Sequence, residues 1–161
     1  MNKLSYLLST LVLVFVLAIS GCDGDDGPGV PAADQVGLTF SGTWSASSVT
    51  FGSPSQDRTS DYSGFSMTVT YVAGTNGGSL SISGGPDGLR PFAPTDTWSY
   101  SGEITDPATT AFSITRQSDG LNISVSNLTA NTMSLSFLLA DGGSTSRQEA
   151  VVGTWNFDFT R

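Results

Sequence analysis

Gly153-Thr154-Trp155-Asn156-Phe157-Asp158-Phe159-Thr160-Arg161 reads as one half-buried β-strand. Trp155, Phe157 and Phe159 fall on one face; Thr154, Asn156, Asp158 and Thr160 fall on the other. That strict alternation is the period of a pleated strand with one side in a core. A helix would scatter the three aromatics around its circumference.

The same period recurs throughout the chain from Leu38 onward. Phe40, Gly42, Trp44 and Ala46 alternate with Ser and Thr, as do Phe65, Met67, Val69 and Tyr71. Leu80 and Ile82 follow, then Trp98, Tyr100, Gly102 and Ile104, then Phe112 and Ile114. Leu121, Ile123 and Val125 make a sixth strand, Met133, Leu135, Phe137 and Leu139 a seventh, and the C-terminal one brings the total to eight. Gly, Asn, Asp and Pro punctuate the gaps, and no segment has a helical period. The fold class is therefore all-β. One-sided alternation in successive strands gives antiparallel sheet with one buried face, closed as a barrel or folded as a β-sandwich.

Loop lengths favour the barrel. The gaps at 52–64, 84–97 and 140–150 are long; those at 73–78, 105–110, 117–120 and 129–132 are short. In up-and-down order alternate connections share an end, so all three long gaps gather at one rim. The expectation is an eight-stranded antiparallel up-and-down barrel with a decorated mouth, a base of tight turns and both chain ends at the base. A Greek-key sandwich, the alternative, scatters the long loops and separates the first strand from the last.

The N-terminus has a different character. Lys3 precedes an apolar run, Leu11 to Ile19, too short for the roughly 20 residues of a membrane-spanning helix and followed by small residues. Residues 1–21 read as a signal peptide. Ile19-Ser20-Gly21-Cys22 resembles the lipobox of bacterial lipoproteins, and Cys22 is the only cysteine in the chain. That resemblance implies cleavage before Cys22, lipidation of Cys22 and attachment to a membrane of the cell envelope, firm because several acyl chains act together. Residues 22–36, with Asp23, Asp25 and Asp26 among Gly and Pro, read as a flexible tether, and residues 37–161 as the barrel domain. Acidic residues after the cysteine resemble the surface-export signal of Bacteroidetes lipoproteins. An aspartate directly after it also resembles the inner-membrane retention signal of enteric bacteria. The reading leans to outer membrane or cell surface.

Charge and composition exclude several functions. Without Lys3, five arginines face fourteen carboxylates, a balance of −9 that disfavours nucleic acid and anionic lipid as partners. Histidine is absent, which removes the commonest general base and metal ligand. Glu103 and Glu149 are the only glutamates, and neither lies in a catalytic motif. The expectation is no enzyme activity, no metal and no cofactor.

Gly42-Thr43-Trp44, opening the first of eight strands, resembles the Gly-x-Trp start of the lipocalins and related calycins. The resemblance implies that Trp44 packs at the closed base under a basic side chain from the last strand, here Arg161. With the lipobox, the whole is similar to small lipocalin-like lipoproteins of the Bacteroidetes. It implies a lipid-anchored envelope protein holding a small apolar or amphipathic ligand in its barrel. Among inward aromatics, Trp98 and Tyr100 carry polar tips and are expected just below the third loop. That loop offers Leu89 and Phe92 as a plug, a gate or a partner patch. The alternative is a surface structural or interaction module with a filled core, binding a protein or glycan through its rim loops. Void volume inside the barrel separates the two.

Overall fold

The first and last strands are hydrogen-bonded neighbours. The computed structural model describes residues 29–86, 91–140 and 152–161. In it β1 (Gly42–Phe51) begins the sheet, and a two-residue strand, β2 (Gln56–Asp57), turns back on its far end. The chain then passes through β3 (Ser66–Tyr71), β4 (Gly77–Ser83), β5 (Thr95–Tyr100), β6 (Phe112–Arg116), β7 (Asn122–Ser126), β8 (Thr132–Leu139) and β9 (Gly153–Thr160). Each strand from β4 onward lies antiparallel beside the one before it, and β1 pairs with β3 on one side and β9 on the other. Ser45 sits opposite Thr160 and Phe51 opposite Trp155. The β1–β9 ladder closes an eight-stranded up-and-down barrel and excludes the sandwich.

The alternation read from the sequence survives with one adjustment. The β1–β9 register passes from Ala46 opposite Phe159 to Ser48 opposite Asp158, so Ser47 is the extra residue of a β-bulge. An inserted residue flips the inward set of a strand. Trp44 and Val49, of opposite parity, are therefore both fully buried.

A helix was not expected, yet α1 (Ala32–Phe40) precedes β1. The tether reading, carried to Val36, and the strand reading, begun at Leu38, both run into it. Pro31 sits just before its first turn, where a missing N–H costs nothing, and Asp34 lies in that turn. Val36, Gly37 and Phe40 form its buried face. A mid-helix glycine costs about 1 kcal/mol in isolation. Here a Cβ on Gly37 would stand 2.4 Å from the Tyr71 ring, so glycine is what lets the helix lie against β3.

The strand directions put α1, Arg161 and the connections after β3, β5 and β7 at one end, the base. The connections after β1, β4, β6 and β8 lie at the mouth. The segments 87–90 and 141–151 fall outside the described residues. One connection departs from expectation. β5 ends at Tyr100, so the link to β6 runs from Ser101 to Ala111 and is no tight turn. Ile104, read from the sequence as the end of that strand, lies outside it and is only partly buried beside the core.

Candidate functional site

Aromatic side chains fill the barrel from one end to the other. At the base, Phe40 of α1 stands edge-on to Trp98 and Phe112, with ring centroids 5.2 and 5.5 Å apart. Tyr100 meets the same two rings at 5.3 and 5.5 Å. In the middle, Phe157 stacks on Phe159 at 5.8 Å and faces Phe65 at 5.6 Å. Toward the mouth, Phe92 packs on Phe137 at 5.2 Å and on Phe157 at 5.5 Å. Tyr62, on the short 3₁₀ turn Thr59–Tyr62, meets Phe157 at 5.2 Å and Phe65 at 5.4 Å. These separations are those of aromatic pairs in direct contact. Phe40 and Phe157 are 0% exposed, and Phe92, nearest the opening, only 4%.

The residues singled out as ligand candidates therefore do not form one wall. Trp98 and Tyr100 lie at the base, beneath α1, and not under the third loop. β5 runs from mouth to base, and its last residues reach the far end. The Tyr100 hydroxyl donates to the Ala33 carbonyl at 3.0 Å. Phe92 is at the mouth, turned inward among Phe65, Phe137 and Phe157. Leu89 and Cys22 lie outside the described residues. The Arg161 guanidinium carbon stands 4.1 Å from the Trp44 ring centroid, and Trp44 Nε1 donates to the Phe40 carbonyl at 2.9 Å.

Two polar clusters anchor the ends of the aromatic column. At the base, the Tyr71 hydroxyl is 2.6 Å from the Asp34 carboxylate, which also accepts the Gly74 N–H at 2.9 Å. The Tyr71 hydrogen bond first, then that of Gly74, holds the Asp34 carboxyl below its ordinary value. Burial, reinforced by Asp34, pushes the Tyr71 phenol up to about 12. Burial also raises Tyr62 and Tyr100. At the mouth, Arg116 is 1% exposed. Its guanidinium takes Asp119 in two hydrogen bonds of 3.0 and 2.8 Å, donates to the Pro91 carbonyl at 2.7 Å and lies 3.7 Å from Asp96. It also sits 5.7 Å from the Phe92 ring centroid. A buried charge is tolerable only when paired and hydrogen-bonded this fully. Its consequence is to fix Pro91 and Phe92 over the opening.

Sequence reasoning missed Arg116 and Asp34, and did not count Tyr62 among the inward aromatics. Arg116 was detectable: it continues the inward series Phe112, Ile114 by two residues. Asp34 and Tyr62 belong to short helical pieces that strand periodicity does not register.

Among the described residues, one buried polar side-chain atom is left over. Trp98 Nε1 is buried with no hydrogen-bond partner, its indole bounded by the nearly perpendicular rings of Phe40 and Tyr100. Among the described residues, two concavities on the outside are large enough to note. One, of about 450 Å³, is formed by the Ser101–Ala111 connection with Ser113 of β6 and Asn122 of β7. The other, of about 600 Å³, runs along β4 and β5 between Ser79, Ser81, Thr95 and Thr97. Among the described residues, no three potential metal ligands of the His, Cys, Asp or Glu type converge. No protein family, curated protein or solved structure matches the chain.

Proposed function

We propose that this chain is a lipid-anchored module of the cell envelope that works through its outer surface, its barrel serving as a rigid, filled body. The lipobox-like Ile19-Ser20-Gly21-Cys22 supports the anchor. The observation that carries the rest is the aromatic column. Phe92 and Tyr62 occupy the mouth, α1 covers the base, and Phe157 lies between them in contact with rings on both sides. An eight-stranded barrel is just wide enough for side chains to fill it or for one small ligand. In this chain side chains take the space. A small apolar ligand inside, the other reading of the barrel, requires several of these rings to leave.

With α1 and Arg161 at the base, a tether beginning at Cys22 leads into the end opposite the mouth. The mouth connections and the Ser/Thr-rich flanks are then the surfaces offered away from the membrane.

A fatty-acid titration tests this. Trp44, Trp98 and Trp155 are all interior and report directly on the column. In the Cys22→Ser chain with residues 1–21 removed, which carries neither acyl group nor signal peptide, a fluorescent fatty acid should give no saturable energy transfer from tryptophan. Saturable one-to-one transfer would restore the ligand-carrying reading.

A further inference from the structure

The concavity beneath the Ser101–Ala111 connection has the chemistry of a binding site, and nothing in the barrel's own construction uses it. Its floor is ordered by a small network. Asn122 Nδ2 donates to Ser101 Oγ at 3.1 Å, and Ser101 Oγ lies 2.8 Å from Thr115 Oγ1. Its walls hold groups with spare capacity. The side chains of Glu103, Thr105 and Ser113 make no hydrogen bond or ion pair within the described residues. Asp106 commits one oxygen, Oδ1, to the Ala108 N–H at 2.8 Å. Half-buried Ile104 and Phe112 supply a limited apolar portion.

Each property narrows the ligand. No Lys or Arg lines the concavity, and two carboxylates do, so an anion is repelled. The apolar area is too small and too interrupted for a hydrocarbon chain. Two carboxylates without a third oxygen-rich partner make a poor cage for a hard cation, which takes six or more oxygen ligands. What fits is a neutral molecule rich in hydroxyls. Carboxylates and the Asn122 carbonyl accept its O–H groups, serine and threonine hydroxyls exchange bonds with it, and a C–H face rests on Phe112 and Ile104. At about 450 Å³ the space falls within the usual range of ligand sites.

We propose that this concavity binds a neutral saccharide, with Glu103, Asp106 and Asn122 as its hydrogen-bonding residues. The proposal rests on the reading above that recognition is external, and it names the ligand class for one external site. Its place at the base end, away from the mouth, means a saccharide would be held on the flank nearest the tethered end.

The test uses the full chain in a sugar-free zwitterionic detergent, followed by backbone amide NMR shifts. Maltose, cellobiose, lactose and N-acetylglucosamine are the probes, and Nα-acetyl-lysine methyl ester is the cationic comparison. At least one sugar should give saturable shifts confined to 101–113 and 122, with a dissociation constant of about 1 mM, ordinary for an open site with few hydrogen bonds. Glu103→Gln, at an exposed position, and Asn122→Ala should each weaken it about tenfold. Silence of the concavity toward all four sugars overturns the proposal and leaves the filled-barrel reading standing. Shifts from the lysine ester alone overturn it in favour of a site for a basic protein partner. Sugar-induced shifts at Trp98 or Phe157 overturn both readings together.

Discussion

Arg161 closes the base of the barrel on Trp44. Its guanidinium carbon is 4.1 Å from the indole centroid, and its three nitrogens reach the backbone carbonyls of Thr39, Ser41 and Ala130. One side chain from the end of β9 thereby ties the end of α1, the entry to β1 and the β7–β8 turn. Gly42 makes room for it. Its φ of +135° is one that glycine alone adopts readily, and a Cβ there would collide with the guanidinium.

Trp44 should be among the costliest residues to remove. It is 0% exposed and its indole N–H satisfies the last carbonyl of α1. Trp44→Ala should destabilise by about 3–5 kcal/mol, the usual cost of deleting a large buried aromatic. Arg161→Ala, losing a solvent-accessible cation–π contact and hydrogen bonds, should cost about 1–2 kcal/mol. Chemical denaturation of both variants gives the comparison. Equal, negligible effects would remove the base clamp from the account.

The Asp34–Tyr71 pair should make the docking of α1 pH-dependent from both sides. Asp34 titrates below its ordinary 3.8 in the fold. Its contribution is therefore complete above that value and is lost as pH falls through the lower, folded one. Tyr71 is raised from 10.0 to about 12, so the phenol's contribution is complete below 10.0 and is lost as pH rises toward about 12. The melting-temperature difference between wild type and Asp34→Asn should shrink between about pH 6 and pH 2. A difference constant over that range would show that the carboxylate charge plays no part.

Arg116 should act as the staple of the mouth. Arg116→Met leaves two carboxylates facing each other without their cation. The expected cost is about 3 kcal/mol, the low end for a broken buried pair because Asp119 keeps 21% exposure. Adding Asp119→Asn should recover part of that loss, since one stranded charge disappears. Hydrogen exchange at Phe92, Thr95 and Asp96 should accelerate in Arg116→Met. Unchanged exchange there would separate Arg116 from the seating of Phe92.

Much of this fold was legible in the sequence because a barrel strand announces itself. Met133, Leu135, Phe137 and Leu139 alternate with outward residues along the whole of β8, and all four are buried. Meander order alone gives the end at which each connection lies, but not its length: the Ser101–Ala111 connection, read as a tight turn of the base, is itself long. The helix was not legible. Nine residues, with buried positions at 36, 37 and 40 only, give too short a pattern to be told from the alternation of Leu38, Phe40 and Gly42. That miss had consequences for the site. Without α1 the base reads as a ring of turns, and the polar tips of Tyr71, Trp98 and Tyr100 look available. With it, Tyr71 and Tyr100 are bonded to Asp34 and Ala33.

The anchor assignment depends on one sulfur. Cys22→Ser should release the chain from membranes or leave its signal peptide uncleaved. Fractionation followed by mass measurement of the N-terminus decides between these forms. A processed mutant that still pellets with membranes would contradict lipidation at Cys22.

The central claim is that the barrel is filled by its own side chains. Native mass spectrometry of the chain extracted from its own membranes tests it most directly. After detergent is stripped in the gas phase, the account predicts one protein mass, that of the chain with whatever acyl groups it carries, and no dissociable companion. A bound small molecule lost on activation in stoichiometric amount, together with altered packing of Trp98 or Phe157 in its presence, would contradict it.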